Sequence, residues 1–227
     1  MVSITAAMED YLKVIYRLSE DGRRATTQAI AERMAVAAPS VTGMIKRLAD
    51  LNLVKHERYR SVTLTASGRK AALEVVRHHR LLELYLAEAL GYSWDEVHAE
   101  AERLEHTISE AFEDRIDAVL GYPTIDPHGD PIPSRSGAVS EISDDRLSSL
   151  DVGESATISR VADTDAEKLR YLGAIGLYPD TEVVVIERMP FEGPLKVRVG
   201  DTEHYVGPEL ARSVHVLRSS RVGDDRD

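Results

Sequence analysis

TTQAIAERMAVAAPSVTGMIKRLADLNLVKHERYRSVTLT, Thr26 to Thr65, is the stretch on which the fold turns. Two short helices fit it, Gln28 to Met34 and Pro39 to Leu51, the second with Val41, Ile45 and Leu48 at helical spacing. Pro39 suits a first helical turn, where its missing amide proton costs no bond. With that stripe turned inward, Ser40, Thr42, Gly43, Lys46 and Arg47 are left for solvent or a partner. Val54 to Thr65 reads as a hairpin, its basic tip (Lys55, His56, Arg58, Tyr59, Arg60) preceding the β-prone Val62, Thr63 and Leu64. Two short helices followed by such a hairpin make a winged helix-turn-helix. Its second helix matches a major groove roughly 12 Å wide. The candidate DNA contacts are Thr27, Pro39, Ser40, Thr42, Gly43, Lys46, Arg47 and Arg60, with Thr42 and Gly43 nearest the bases and Lys46, Arg47 and Arg60 on phosphates. Pattern and charge alone leave an ordinary solvated basic face equally open.

The charge distribution supports a nucleic-acid partner where the total does not. The 227 residues carry a formal charge of −11, yet residues 21–80 hold 12 Lys or Arg against 5 Asp or Glu. Charges farther apart than a Debye length of ~10 Å are strongly screened, so this basic tract can bind phosphates within an acidic chain. No apolar run spans a bilayer and no secretory signal is visible, so a cytoplasmic protein without membrane attachment is expected. Cysteine is absent, which leaves histidine, carboxylate, carbonyl and water as metal ligands.

Outward from the hairpin, Met8, Leu12, Ile15 and Leu18 mark a helix over Ile4 to Glu20, and a longer one is expected from Ala66 to Leu90, ending at Gly91. Ser93 with Glu96 has the spacing of a capping box, starting a helix that reaches His106, and another runs from about Ser109 to Leu120. The prolines and glycines between Tyr122 and Ser143 mark a linker or boundary. Beyond it Ala156 to Val161, Thr181 to Arg188 and Leu195 to Val199 read as strands, and Leu169 to Ile175 as a short helix. The expected organisation is a winged helix-turn-helix over 1–65, a helical dimerisation and metal-binding domain with its proline-rich linker over 66–143, a small SH3-like β-barrel over 144–220 and a polar tail over 221–227. The fold class is therefore mainly α, with an α+β winged domain and a C-terminal barrel.

Glu102, Glu105 and His106 stand at i, i+3 and i+4, so a helix presents two carboxylates and an imidazole on one side, and Asp10 can add a ligand from the first helix. His79 and Glu83 make a second i, i+4 pair, and His98 lies one turn before Glu102. Read without further context, these are either ligands for a divalent ion or surface residues paired with Lys and Arg. Oxygen and nitrogen donors suit manganese or iron, while zinc, cobalt and nickel also bind such sets.

The order of these motifs resembles the diphtheria-toxin-repressor family of metalloregulators over nearly the whole chain. The resemblance is carried by MEDYLKVIY (Met8 to Tyr16), the helix-turn-helix around Pro39, HHRLLE (His78 to Glu83), VHAEAERLEH (Val97 to His106) and DPHGDPIP (Asp126 to Pro133). It implies a homodimer on palindromic double-stranded operator DNA, repression of metal-uptake genes when metal is plentiful, no enzymatic activity, and a C-terminal domain similar to SH3-like or FeoA-like barrels that can make self-contacts. It carries a primary metal site onto Asp10, Glu102, Glu105 and His106, and an ancillary one onto His79, Glu83 and His98, with Asp163 and then Glu167 as further ligands from the C-terminal domain. Asp10 and Glu102 stand where the iron-responsive branch has Met and Cys, so the chain resembles the manganese-responsive branch, with Mn2+ as expected cofactor and Fe2+ as the alternative. Lys13 stands where smaller manganese regulators have Glu, which argues against their closely spaced two-metal arrangement. The iron branch's anion-binding positions fall on Arg80, Asp126 and Asp130, and two acidic side chains there point instead to ion pairs with Arg80. An iron-dependent repressor, a metal-dependent hydrolase and a DNA-binding structural protein are the competing readings.

Overall fold

The computed structural model describes residues 4–20, 22–56, 61–162 and 165–219. Helix α1 (Ala6–Glu20) buries Met8, Leu12, Ile15 and Leu18, together with Tyr11 and Tyr16. Helix α2 (Thr27–Met34) starts where the Thr26 side chain accepts a hydrogen bond from the Ala29 amide at 3.1 Å, satisfying one of the free donors of the first turn. Helix α3 (Ala38–Asp50) has Pro39 in its first turn and buries Val41, Ile45 and Leu48. Strands β1 (Val54–His56) and β2 (Val62–Leu64) pair antiparallel, and their tip, with Arg60, lies outside the described residues. The wing is pinned to the next helix, α4 (Ala66–Leu90), by Thr65: its hydroxyl lies 2.7 Å from the Asn52 carbonyl and accepts from the Gly68 amide at 3.1 Å. Gly68 permits this approach, since a Cβ there would stand 1.9 Å from the Leu53 carbonyl oxygen.

Helix α4 runs from this first core into a second, where Leu81, Leu82, Leu84 and Leu86 pack with Val97, Ala101, Ile116 and Ile132. Helices α5 (Val97–Leu104) and α6 (Glu110–Val119) complete that layer. The expected helix from Ser93 to His106 is shorter at both ends. Ser93 does donate to Glu96, through its amide at 3.3 Å and its hydroxyl at 2.6 Å, but this closes a turn ahead of α5. At the other end Glu105 keeps a right-handed helical conformation (φ −55°, ψ −29°), so the spacing of Glu102, Glu105 and His106 survives past the last helical residue.

The C-terminal part corrects the expectation of a β-barrel. Six antiparallel strands lie in the order β3-β8-β4-β5-β6-β7: β3 (Asp145–Arg146), β4 (Ser155–Val161), β5 (Glu182–Arg188), β6 (Leu195–Val199), β7 (Thr202–Val206) and β8 (Val214–Arg218). The sheet is open. β3 is two residues long, too short to supply a closing ladder, and among the described residues β7 pairs only with β6. Register shifts at Ile158/Arg160 and Val185/Glu187 mark bulges, which bend strands without joining the two edges. Helices α7 (Ala166–Ala174) and α8 (Pro208–Ser213) contribute Leu169, Leu172 and Ala211 to the core, so side chains from helices take part in covering what a closed barrel would cover itself. The strands β7 and β8 were not legible in the sequence: in β7 His204 takes the face of the buried Val206, and in β8 the Val214, Val216 alternation is only two residues deep before the exposed Leu217 interrupts it.

The linker is seated on this sheet. Asp126 Oδ1 accepts from the amides of His128 and Asp130, both at 2.9 Å, and the Val161 amide donates to the His128 carbonyl at 2.8 Å. Gly129, at φ +92°, leaves no room for a side chain, because a Cβ would stand 2.0 Å from the Ser159 carbonyl oxygen.

Candidate metal centre

Among the described residues four overlapping groups of carboxylates and imidazoles occur: three follow one another from α1 and the end of α5 through α4 to the linker, and a fourth, His79, Glu102 and Glu105, bridges the first two. Asp10, half-buried on α1, places Oδ1 2.7 Å from His106 Nε2, whose other neighbour on that nitrogen is Glu105 Oε1 at 3.3 Å. Ligand atoms of Asp10, Glu105 and His106 lie within 4.8 Å of one another. Glu9, which sequence reasoning missed, sits 2.6 Å from the second ring nitrogen of His106 and fixes the orientation of the ring. Its signal was weak, since an acidic residue in a first helical turn is ordinary. Glu102 stands apart from this trio. It groups with Glu105 and His79, and its Oε1 is 2.7 Å from the Lys13 ammonium, which also reaches Glu105 Oε1 at 2.5 Å.

His79, Glu83 and His98 form the second group, with His79 Nε2 2.9 Å from Glu83 Oε1 and 3.0 Å from His98 Nδ1. Glu105 connects it to the first, because its Oε2 is 2.5 Å from His79 Nδ1. His79, Glu83 and Glu105 are fully or almost fully buried. Burial disfavours the His79 imidazolium, but Glu83 and Glu105 outweigh it and push its pKa up to about 9. The Glu83 carboxyl is held well below the usual range: burial opposes, while the His79 charge and the close approach of His79 and His98 to Oε1 prevail, with His128 Nδ1 3.9 Å from Oε2.

The third group, Glu83, Asp126 and His128, is wholly buried. Glu83 Oε2 and Asp126 Oδ2 have no hydrogen-bond partner, and such oxygens are costly to bury unless a cation accompanies them. Burial, with Asp130 and Glu83 nearby, raises the Asp126 pKa to about 8. Arg80 compensates in part: it lies 3.5 Å from Asp126 Oδ2 and 3.4 Å from Asp130 Oδ2, so it pairs with both acids. Sequence reading placed Asp126 beside Arg80 and left His128 out. Their convergence on Glu83 depends on the folded linker.

Glu167 is exposed at the start of α7, and its amide donates to Asp165 Oδ1 at 3.0 Å; it joins none of these groups. Asp163 lies outside the described residues. On the DNA side Pro39, Ser40, Thr42, Gly43, Lys46 and Arg47 are all exposed along α3, while Thr27, the first residue of α2, is half-buried. The Thr42 hydroxyl donates back to the Ala38 carbonyl at 3.1 Å. No helix among the described residues is long and apolar enough to cross a membrane.

The model of the iron dependent repressor N-terminal DNA-binding domain matches residues 3–62, that of the iron dependent repressor metal-binding and dimerisation domain matches 65–134, and the FeoA domain matches 146–218. The iron-dependent repressor IdeR of Mycobacterium tuberculosis is 33% identical over 228 residues, 95% of this chain and 99% of that protein. The chain belongs to the diphtheria toxin repressor and IdeR family. These are DNA-binding, metal-dependent transcriptional repressors without catalytic function. The diphtheria toxin repressor of Corynebacterium glutamicum is 32% identical over 226 residues, 95% of this chain and 98% of that one. Among solved structures, a manganese-dependent transcriptional repressor in complex with manganese superposes with a TM-score of 0.88 at 41% identity, covering 93% of this chain and all of that one. The manganese regulator SloR does so at 0.78 and 33%, covering 95% of this chain and all of the other. Relatives named for iron and for manganese are both present, and the donor groups suit a divalent transition metal.

Proposed function

We propose that this repressor senses manganese and, when loaded, binds palindromic operator DNA as a homodimer to repress metal-uptake genes. The observation that carries the reading is the junction of Asp10 on α1 with Glu105 and His106 at the end of α5: the helix that anchors the DNA-reading module meets the helical layer through ligand-type atoms. A divalent ion held there supplies a positive centre that α1 and α5 share. Asp10, Glu102, Glu105 and His106 are the primary ligand candidates; His79, Glu83 and His98 form the ancillary set, joined by Asp126 and His128 through the unbonded oxygens of Glu83 and Asp126. Asp163 and Glu167 remain candidates from the C-terminal domain by resemblance alone.

Manganese is favoured over iron because Asp10 and Glu102 bring hard oxygen donors where the iron branch has sulfur. The protein titled a manganese-dependent repressor in complex with manganese, 41% identical, supports the same preference. Tying α1 to α5 restricts the orientation of α3, whose exposed Ser40, Thr42, Gly43, Lys46 and Arg47 meet DNA with Thr27, Pro39 and Arg60, and so shifts the population toward the binding-competent arrangement. Leu90, Phe112, Val119 and Tyr122 are exposed on the helical segment and offer apolar surface for a second copy to cover. We assign the organisation accordingly: 1–65 reads DNA, 66–143 binds metal and dimerises, and 144–220 is a FeoA-like accessory domain.

An anaerobic titration of Mn2+ and Fe2+ against binding to the upstream DNA of the protein's own gene tests this. Mn2+ is expected to raise affinity tenfold or more, and Asp10→Ala and Glu102→Ala are expected to blunt the response. If neither metal changes affinity by more than twofold, the reading is overturned; a stronger response to Fe2+ would overturn the manganese assignment alone.

A further inference from the structure

The least ordinary residue of the centre is its lysine. Lys13 is only 4% exposed, and its ammonium bridges Glu102 Oε1 at 2.7 Å and Glu105 Oε1 at 2.5 Å. Burying an ammonium is costly unless it is paired, and here two carboxylates pair it. Glu105 Oε1 is also the oxygen 3.3 Å from His106 Nε2, and the other oxygen of Glu105 is occupied by His79 at 2.5 Å. Every ligand-type contact available to Glu105 therefore passes through an oxygen that already has a partner, and one of those partners is a fixed positive charge on α1.

We propose that Lys13 is a tethered competitor of the effector ion: its ammonium contends for the oxygens of Glu102 and Glu105, and this competition sets the metal concentration at which the sensor responds. The proposal rests on the metal-sensing reading above. For either carboxylate to bind an ion through Oε1, the Lys13 ammonium must yield that oxygen or share it against charge repulsion, and both weaken binding. A cleft beside it, lined by Asp10, Lys13, Arg17, Arg33, His98 and Glu102, gives the lysine stem room to turn. That cleft carries Arg17 and Arg33 as well as Asp10 and Glu102, so a displaced lysine head stays among charges of both signs. A one-charge competitor also limits how many divalent ions the carboxylates can hold.

Binding of Mn2+ to the full-length protein, followed through the electron paramagnetic resonance signal of free Mn2+, separates the possibilities. Asp10→Ala identifies which class of sites is the primary one. At that class Lys13→Gln is expected to lower the dissociation constant tenfold or more, whereas Lys13→Arg, which keeps the charge, stays within threefold of wild type. Lys13→Glu is expected to add a second bound ion. If Lys13→Gln does not fold, Glu102→Gln is compared with the double variant Lys13→Gln/Glu102→Gln, where removal of the ammonium is again expected to tighten binding. An Asp10-dependent class whose affinity is unchanged within twofold, or weakened, on loss of the ammonium overturns the competition and leaves the sensing reading intact. A wild-type protein with no Asp10-dependent class overturns the sensing reading itself.

Discussion

At the scale of single residues, most of the candidate centre is made of groups whose chemistry the sequence states and whose partners it does not. Glu105 was legible as the middle of an i, i+3, i+4 set. That it would be buried, with one oxygen toward His79 and the other toward Lys13, was not, because those partners lie 26 and 92 residues away. Gly129 shows the same division. Its neighbours announced a turn, but only the folded sheet shows that a Cβ would strike Ser159. Gly129→Ala combines a positive φ with that close contact, so destabilisation of about 3 kcal/mol is expected, from overpacking and a left-handed backbone penalty together. Urea unfolding followed by circular dichroism checks it, and a cost below about 0.5 kcal/mol would show that the linker can lift from β4 freely.

At the scale of elements, α4 binds the molecule together through charges as well as leucines. Arg77, 6% exposed, lies 2.5 Å from Glu113 and 2.6 Å from Asp117 on α6, and donates to the Pro133 carbonyl at 2.8 Å. Removing one side of such a cluster strands the other, so Arg77→Ala is expected to cost about 3–5 kcal/mol, read as a lower denaturation midpoint. The same cluster gives a pH dependence. Hydrogen bonding from His78 leads, burial opposes it, and Arg77 adds to it, holding the Glu113 carboxyl down to about 2, well below the ordinary 4.5 of a glutamate. A depressed carboxylate contributes stability that is complete above its unfolded pKa and lost as pH falls toward its folded one. Thermal melts of wild type should therefore lose stability between about pH 4.5 and 2, and Glu113→Gln should flatten that part of the profile. An unchanged slope in the variant would assign the acid sensitivity elsewhere.

At the scale of the whole molecule, charge is segregated: a basic DNA-reading module is attached to an acidic remainder. Phosphate contacts release counterions, so operator affinity should fall steeply with salt. Lys46→Ala and Arg47→Ala are each expected to reduce the slope of log affinity against log salt by about 1, with similar losses on specific and random DNA if these residues meet only phosphates. A loss confined to the operator would move the residue concerned onto a base edge.

The sequence by itself determined the winged helix-turn-helix, the long α4, the oxygen- and nitrogen-only donor set and the motifs of the repressor family, because each depends on local periodicity or residue chemistry. Only the tertiary structure decided that the C-terminal sheet stays open, that Glu102 turns from Asp10 toward His79 and Lys13, and that Asp126 and His128 converge on Glu83. Those outcomes depend on burial and on which distant elements compete for the same carboxylate oxygens, and spacing along a chain cannot encode that competition.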